Sequence, residues 1–78
     1  MVTLTLYSRP ECHLCETLLA DLGPLLRDDV IVETVDVDSS VALERRYGLR
    51  IPVLTAGELE LSGYPLDRDR VRRYLDSQ

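Results

Sequence analysis

Tyr7-Ser8-Arg9-Pro10-Glu11-Cys12-His13-Leu14-Cys15-Glu16, the stretch YSRPECHLCE, holds both cysteines and the only histidine of a 78-residue chain. Two periodicities meet here. Before it, VTLTLY (residues 2–7) alternates β-branched and aliphatic side chains at period two, the pattern of a strand. SRPE makes a turn, after which Leu14, Cys15, Leu18, Leu19 and Leu22 recur at spacings of three and four. That spacing predicts a helix over residues 12–22 with one buried stripe. Cys12 and Cys15 therefore share a face at the start of a helix, where a strand hands over to it.

The rest of the chain continues the alternation. Gly23-Pro24 interrupts the helix, since proline removes an N–H and clashes with the preceding turn, and Leu25-Leu26 adds one further turn. VIVETVDV (residues 30–37) reads as a second strand, and Asp38 or Ser39 as the cap of a helix running to Tyr47 and stopped at Gly48. Pro52 to Thr55 and Leu59 to Leu61 form short strands around Ala-Gly-Glu, a hairpin signal. Asp67 caps a last helix, with Leu66 and Val71 as its hydrophobic staple. The order is β-α-β-α-β-β-α. Strands joined through a helix run parallel and a hairpin runs antiparallel, so an α/β fold with a four-stranded mixed sheet and three helices is expected, as one domain over residues 1–78.

Composition narrows the function. A chain of this size buries only about 60% of its unfolded surface, and with no Trp or Phe its core rests on 15 Leu, 8 Val and 2 Ile. Fourteen acidic against nine basic residues give a net charge of −5, which argues against a nucleic-acid surface that must neutralise phosphates. Arg45, Arg46, Arg68, Arg70, Arg72 and Arg73 read as solvated surface, and Tyr7 and Tyr74 as core or rim packing. No apolar run approaches a membrane span, and MVTLTLY lacks the basic start of a signal peptide, so a cytoplasmic, monomeric protein is expected. In that compartment a structural disulfide does not persist, and so short a loop would contribute only about 2 kcal/mol. Stapling is a poor explanation for the pair.

Redox chemistry explains it better. At the helix N-terminus Cys12 meets free N–H groups and the positive end of the helix dipole, which stabilise a thiolate by about 0.3–1 kcal/mol. Cys15, one turn in on the apolar stripe, is the buried partner. Cys12 would attack a substrate disulfide and Cys15 would resolve the mixed disulfide. Arg9 and His13 favour the thiolate; Glu11 and Glu16 oppose it. Two other readings stay open: half of a metal site, for which no second cysteine pair exists, and inert packing on a scaffold or binding module.

LYSRPECHLCE, followed by YGLRIPVL and SGYP, resembles the thioredoxin-like fold and, within it, the small glutaredoxin-like proteins, over essentially the whole chain. The resemblance implies a dithiol–disulfide oxidoreductase acting on disulfide-containing proteins or low-molecular-weight thiols in redox homeostasis; no metal is expected at the site, and an iron–sulfur cluster bridged between two copies, as some glutaredoxins form, is part of the metal alternative. It also implies that Pro52 is cis beside the cysteine pair, that Ile51 offers its backbone to an extended substrate, and that Gly63 belongs to the same binding group. Departures are visible. His13-Leu14 replaces the Pro-Tyr common in glutaredoxins, Arg50 stands in place of a threonine, and Pro65-Leu66 falls where acidic residues would hold glutathione. Arg9 remains available to a glutathione carboxylate, and either glutathione or a separate reductase is open as the electron donor.

Overall fold

The strand that precedes the cysteines is the second of four in one sheet, ordered β2-β1-β3-β4, in a computed structural model that describes residues 1–78. β1 is Val2–Ser8, β2 Val30–Asp36, β3 Val53–Ala56 and β4 Leu59–Ser62; the helices are α1 (His13–Leu22), α2 (Val41–Tyr47) and α3 (Arg68–Asp76). β1 and β2 are parallel, in register from Val2 with Val30 to Ser8 with Asp36. β1 meets β3 antiparallel, and β3 meets β4 antiparallel. The mixed thioredoxin-like sheet with three helices is as expected.

Alternation along β1 sends Leu4, Leu6 and Ser8 to one face, where all three are buried. There Leu4, Leu6, Leu54 and Leu61 pack with Leu18 and Leu22 of α1 and with Leu66, Val71 and Leu75 around α3. The opposite face carries a smaller cluster of Val37, Tyr47 and Val53, with Tyr7, Leu43 and Ile51 at its margin. Tyr7 stacks on Tyr47 with ring centroids 4.3 Å apart, so the first tyrosine is packing, as its position in the strand suggested.

Local chemistry adjusts several boundaries. The second strand ends at Asp36, and α2 is capped by Ser40, whose Oγ accepts from the Leu43 N–H at 3.1 Å, in place of Asp38 or Ser39. The reason is a competing cap. Asp36 accepts from the Asp38 N–H at 2.8 Å and its carbonyl accepts from Ser39 Oγ at 2.6 Å, closing a 3-10 turn over Val37–Ser39 first. α1 likewise tightens into a 3-10 turn over Gly23–Leu25, which ends before Leu26. Pro52 lies just outside β3. Gly57, at φ 61 in the first central position of the two-residue loop, gives the hairpin its type II′ character. Between Leu54 and Thr55 the register skips Leu61, a bulge that leaves Leu61 and Ser62 buried in succession. Asp67 caps α3 through the Arg70 N–H at 3.0 Å, and Leu66 and Val71 share one cluster, as the staple requires.

Candidate functional site

Arg9 to Cys12 form a β-turn that carries the chain from β1 into α1. The Cys12 N–H donates to the Arg9 carbonyl at 3.2 Å. Pro10 holds the second position and Glu11, at φ 61, the third, the signature of a type II turn. Glycine is the usual residue for that backbone; here a glutamate holds it.

The turn delivers Cys12 as the N-cap of α1. Its Sγ accepts the Cys15 N–H at 3.2 Å, while its carbonyl accepts from Glu16 at 3.1 Å. The two sulfurs are joined as a disulfide across a Cα separation of 5.2 Å, with Cys12 half-buried and Cys15 only 5% exposed. When the bond is reduced, the same backbone N–H and the aligned peptides of α1 face the Cys12 sulfur. One accessible and one sheltered sulfur result.

A cleft of about 370 Å³ opens beside the pair. It is lined by Leu6, Ser8 and Leu19, by the turn with both cysteines and Glu16, and by Thr34 and Asp36 of β2. Arg9 also lines it, but its guanidinium is held: Nε donates to Asp38 at 3.0 and 3.1 Å and Nη1 to the Gly48 carbonyl at 3.4 Å. The Asp38 hydrogen bond holds the Arg9 pKa above its ordinary value; desolvation opposes it, and the charges of Asp38, Glu44 and Asp36 add to it.

The residues singled out in the sequence thus divide into groups. Arg9, Cys12 and Cys15 come together around the cleft. His13, the first residue of α1, is exposed, its ring makes no hydrogen bond, and it does not line the cleft; its carbonyl accepts from Thr17 Oγ1 at 3.1 Å. Ile51-Pro52 is cis, as is Tyr64-Pro65. Pairing of Tyr7 with Val53 carries the buried Pro52 opposite Ser8, at the same end of β1 as the turn. Gly63 lies against Pro52, whose carbonyl oxygen would be 3.8 Å from a Cβ added there. Ile51, Pro52 and Gly63 are therefore neighbours of the cysteine end of the sheet but line no part of the cleft, which faces β2.

Arg50, in place of a threonine, pairs with Glu60 and stands 5.8 Å from the Tyr47 ring centroid; Arg46 stands 5.3 Å from it. Sequence reasoning did not place Ser8 or Asp36 at the site, and read Asp38 only as a helix cap. A signal existed, because pairing two parallel seven-residue strands end to end puts Ser8 beside Asp36 and Arg9 near Asp38. No three His, Cys, Asp or Glu side chains converge as a metal-binding group, and no helix is long and apolar enough to cross a membrane.

The model of the glutaredoxin-like domain (DUF836) matches residues 3–76. The chain belongs to this family. Among solved structures, the glutaredoxin-like domain is similar to structural-genomics target XcR50 from X. campestris, with 38% identity over 96% of this chain and 97% of that chain and a TM-score of 0.75. Thioredoxin 1 from the thermophilic eubacterium Thermosipho africanus gives 15% identity, 96% coverage of both chains and a TM-score of 0.60. Buckwheat glutaredoxin, in a complex with glutathione, gives 20% identity over 95% of this chain and 68% of that chain, with a TM-score of 0.53. At such identities the last two show the fold alone. No curated protein matches the glutaredoxin-like domain in sequence. Its fold is of the thiol–disulfide oxidoreductase type, and it carries the C-x-x-C at the strand-to-helix junction.

Proposed function

We propose that this protein is a thiol–disulfide oxidoreductase that reduces disulfides by a dithiol mechanism, with Cys12 as nucleophile and Cys15 as resolving thiol. The observation that carries the reading is the N-cap position of Cys12, half-exposed on a cleft with its Sγ accepting the Cys15 N–H at 3.2 Å, above a buried Cys15. The Cys12 thiolate attacks one sulfur of the substrate disulfide, forming a Cys12 mixed disulfide and releasing the other sulfur as a thiolate. Cys15, deprotonated to solvent, then attacks Cys12 Sγ and expels the second substrate thiolate. Two electrons pass to the substrate, and the protein is left as the Cys12–Cys15 disulfide.

Ile51 offers its backbone to an extended substrate from the β3 side, with Pro52 and Gly63 as the wall behind it. A reducing cytoplasm returns the pair to the dithiol. The donor is a separate reductase in preference to glutathione, because the one arginine at the cleft is already held by Asp38. The deciding experiment follows exchange between the fully reduced protein and hydroxyethyl disulfide. Cys12→Ser should abolish exchange, and Cys15→Ser should accumulate a mixed disulfide visible by intact mass. Unchanged exchange by Cys12→Ser would end the proposal.

A further inference from the structure

We propose that the cleft beside Cys12 is a subsite for a cationic group flanking the substrate's sulfur, so that the protein favours disulfides bearing an ammonium or guanidinium close to the S–S bond. The inference rests on the oxidoreductase reading and adds the class of substrate. Three carboxylates, Glu11, Glu16 and Asp36, line the cleft. The cleft's one cation, Arg9, is turned to Asp38 and the Gly48 carbonyl. Near the disulfide the field is therefore acidic.

A second observation points to a ligand. Ser8 lines the same cleft and is 7% exposed, and its hydroxyl makes no hydrogen bond within the protein. The hydroxyl is not sealed in the core, as Thr55 Oγ1 is, but opens on the cleft, where an entering polar group can pair with it. Ser8 pairs in register with Asp36, so the free hydroxyl and a carboxylate lie side by side across β1 and β2. Together they offer acceptors to an N–H donor. Leu6 and Leu19 supply apolar surface for its short stem. Glutathione disulfide, whose carboxylates outnumber its ammonium groups, meets net repulsion in the same place.

The test uses the full chain, reduced and freed of reductant, in stoichiometric exchange with three small disulfides: cystamine (dicationic), hydroxyethyl disulfide (neutral) and 3,3′-dithiodipropionate (dianionic). In each case the protein dithiol gives up two electrons, yielding the Cys12–Cys15 disulfide and two small thiols. Rates are divided by those of free dithiothreitol, which removes differences in leaving-group reactivity. A carboxylate about 6 Å from a cation changes its local concentration by about threefold in water, so cystamine should outrun dithiodipropionate by about tenfold or more. Raising salt from about 20 mM to about 0.5 M should collapse that ratio.

Glu16→Gln with Asp36→Asn should lower the ratio by at least about threefold. The asparagine keeps an oxygen for the Asp38 N–H and so preserves the cap. Glu33→Gln, which removes one carboxylate charge on the opposite face of β2, should leave the ratio as it was. Ser8→Ala should slow cystamine more than hydroxyethyl disulfide. Peptides with lysine or glutamate beside a disulfide-bonded cysteine form a parallel arm. A preference in the small-molecule arm identifies small amines, one confined to peptides identifies protein segments, and both uphold the inference. If hydroxyethyl disulfide itself fails to react, the oxidoreductase reading falls. If it reacts but neither arm shows a charge preference, or the cleft variants leave the preference intact, only the cationic subsite falls.

Discussion

Replacing Glu11 with glycine should make the protein more stable. Glu11 holds φ 61 in the third position of the turn closed by the Cys12 N–H on the Arg9 carbonyl at 3.2 Å, with Pro10 before it. The left-handed conformation costs a residue with a Cβ about 1–2 kcal/mol. Glycine escapes that cost but loses about 0.5–1 kcal/mol more backbone entropy on folding. The balance favours Glu11→Gly by about 0.5–1 kcal/mol, or about 2–8 °C in Tm for a domain of this length. Because Glu11 is exposed, its side chain contributes little to packing. Glu11→Ala is the reference, since it removes the same charge and keeps the Cβ. Thermal unfolding of the two variants, followed by circular dichroism with the disulfide formed in both, isolates the backbone effect. Glu11→Asn should fall between them. A glycine variant melting at or below the alanine variant would refute the reasoning.

Three further outcomes are expected. Thr55 Oγ1 is buried with no hydrogen-bond partner, so Thr55→Val, nearly isosteric, should stabilise the fold by about 1 kcal/mol in urea titration. Gly48 donates its N–H to the Glu44 carbonyl at 2.8 Å, and a Cβ there would press on that same oxygen. Gly48→Ala should therefore cost about 1–3 kcal/mol by the same titration. Glu60 titrates below its usual value because Arg50 hydrogen-bonds its carboxylate, with partial desolvation opposing and the charges of Arg50, Arg46 and Arg70 helping. A depressed folded-state pKa contributes stability above the ordinary carboxylate range that is lost as pH falls through the folded value. The wild type should accordingly lose more stability on acidification below about pH 4.5 than Glu60→Gln does, by an amount kept small by exposure; equal slopes in that window would count against the pair.

Period and punctuation made the elements legible. VTLTLY and VIVETVDV announced strands, and the leucines after Cys15 announced α1. What escaped the sequence lies where several local solutions compete. Asp36, Asp38, Ser39 and Ser40 are all able to cap, and the choice of Ser40 depends on Asp36 first closing its own turn. Pro10 signalled a turn, yet nothing in Arg9-Pro10-Glu11-Cys12 told that glutamate would take the left-handed position, because the usual marker is a glycine. The cysteines were readable as a pair with unequal exposure. The direction in which their cleft opens was not, since it depends on how α1 lies against β2, a relation between residues some twenty positions apart. Arg9 illustrates the same limit: its charge was read from the sequence, but its commitment to Asp38 follows from parallel pairing of β1 with β2.

The sheet's two covers are unequal, nine buried residues on the α1 and α3 side against three on the α2 side. Subglobal opening should begin at the thinner cover, so amide protons of α2 should exchange well before those of β1 and α1. Arg9 reaches across to that cover through Asp38 and the Gly48 carbonyl. Such an opening takes the Gly48 carbonyl from Arg9 and leaves its pair with Asp38 in the 3-10 turn, so the anchoring of the one cation beside the cleft loosens with the breathing of a helix on the far side of the sheet.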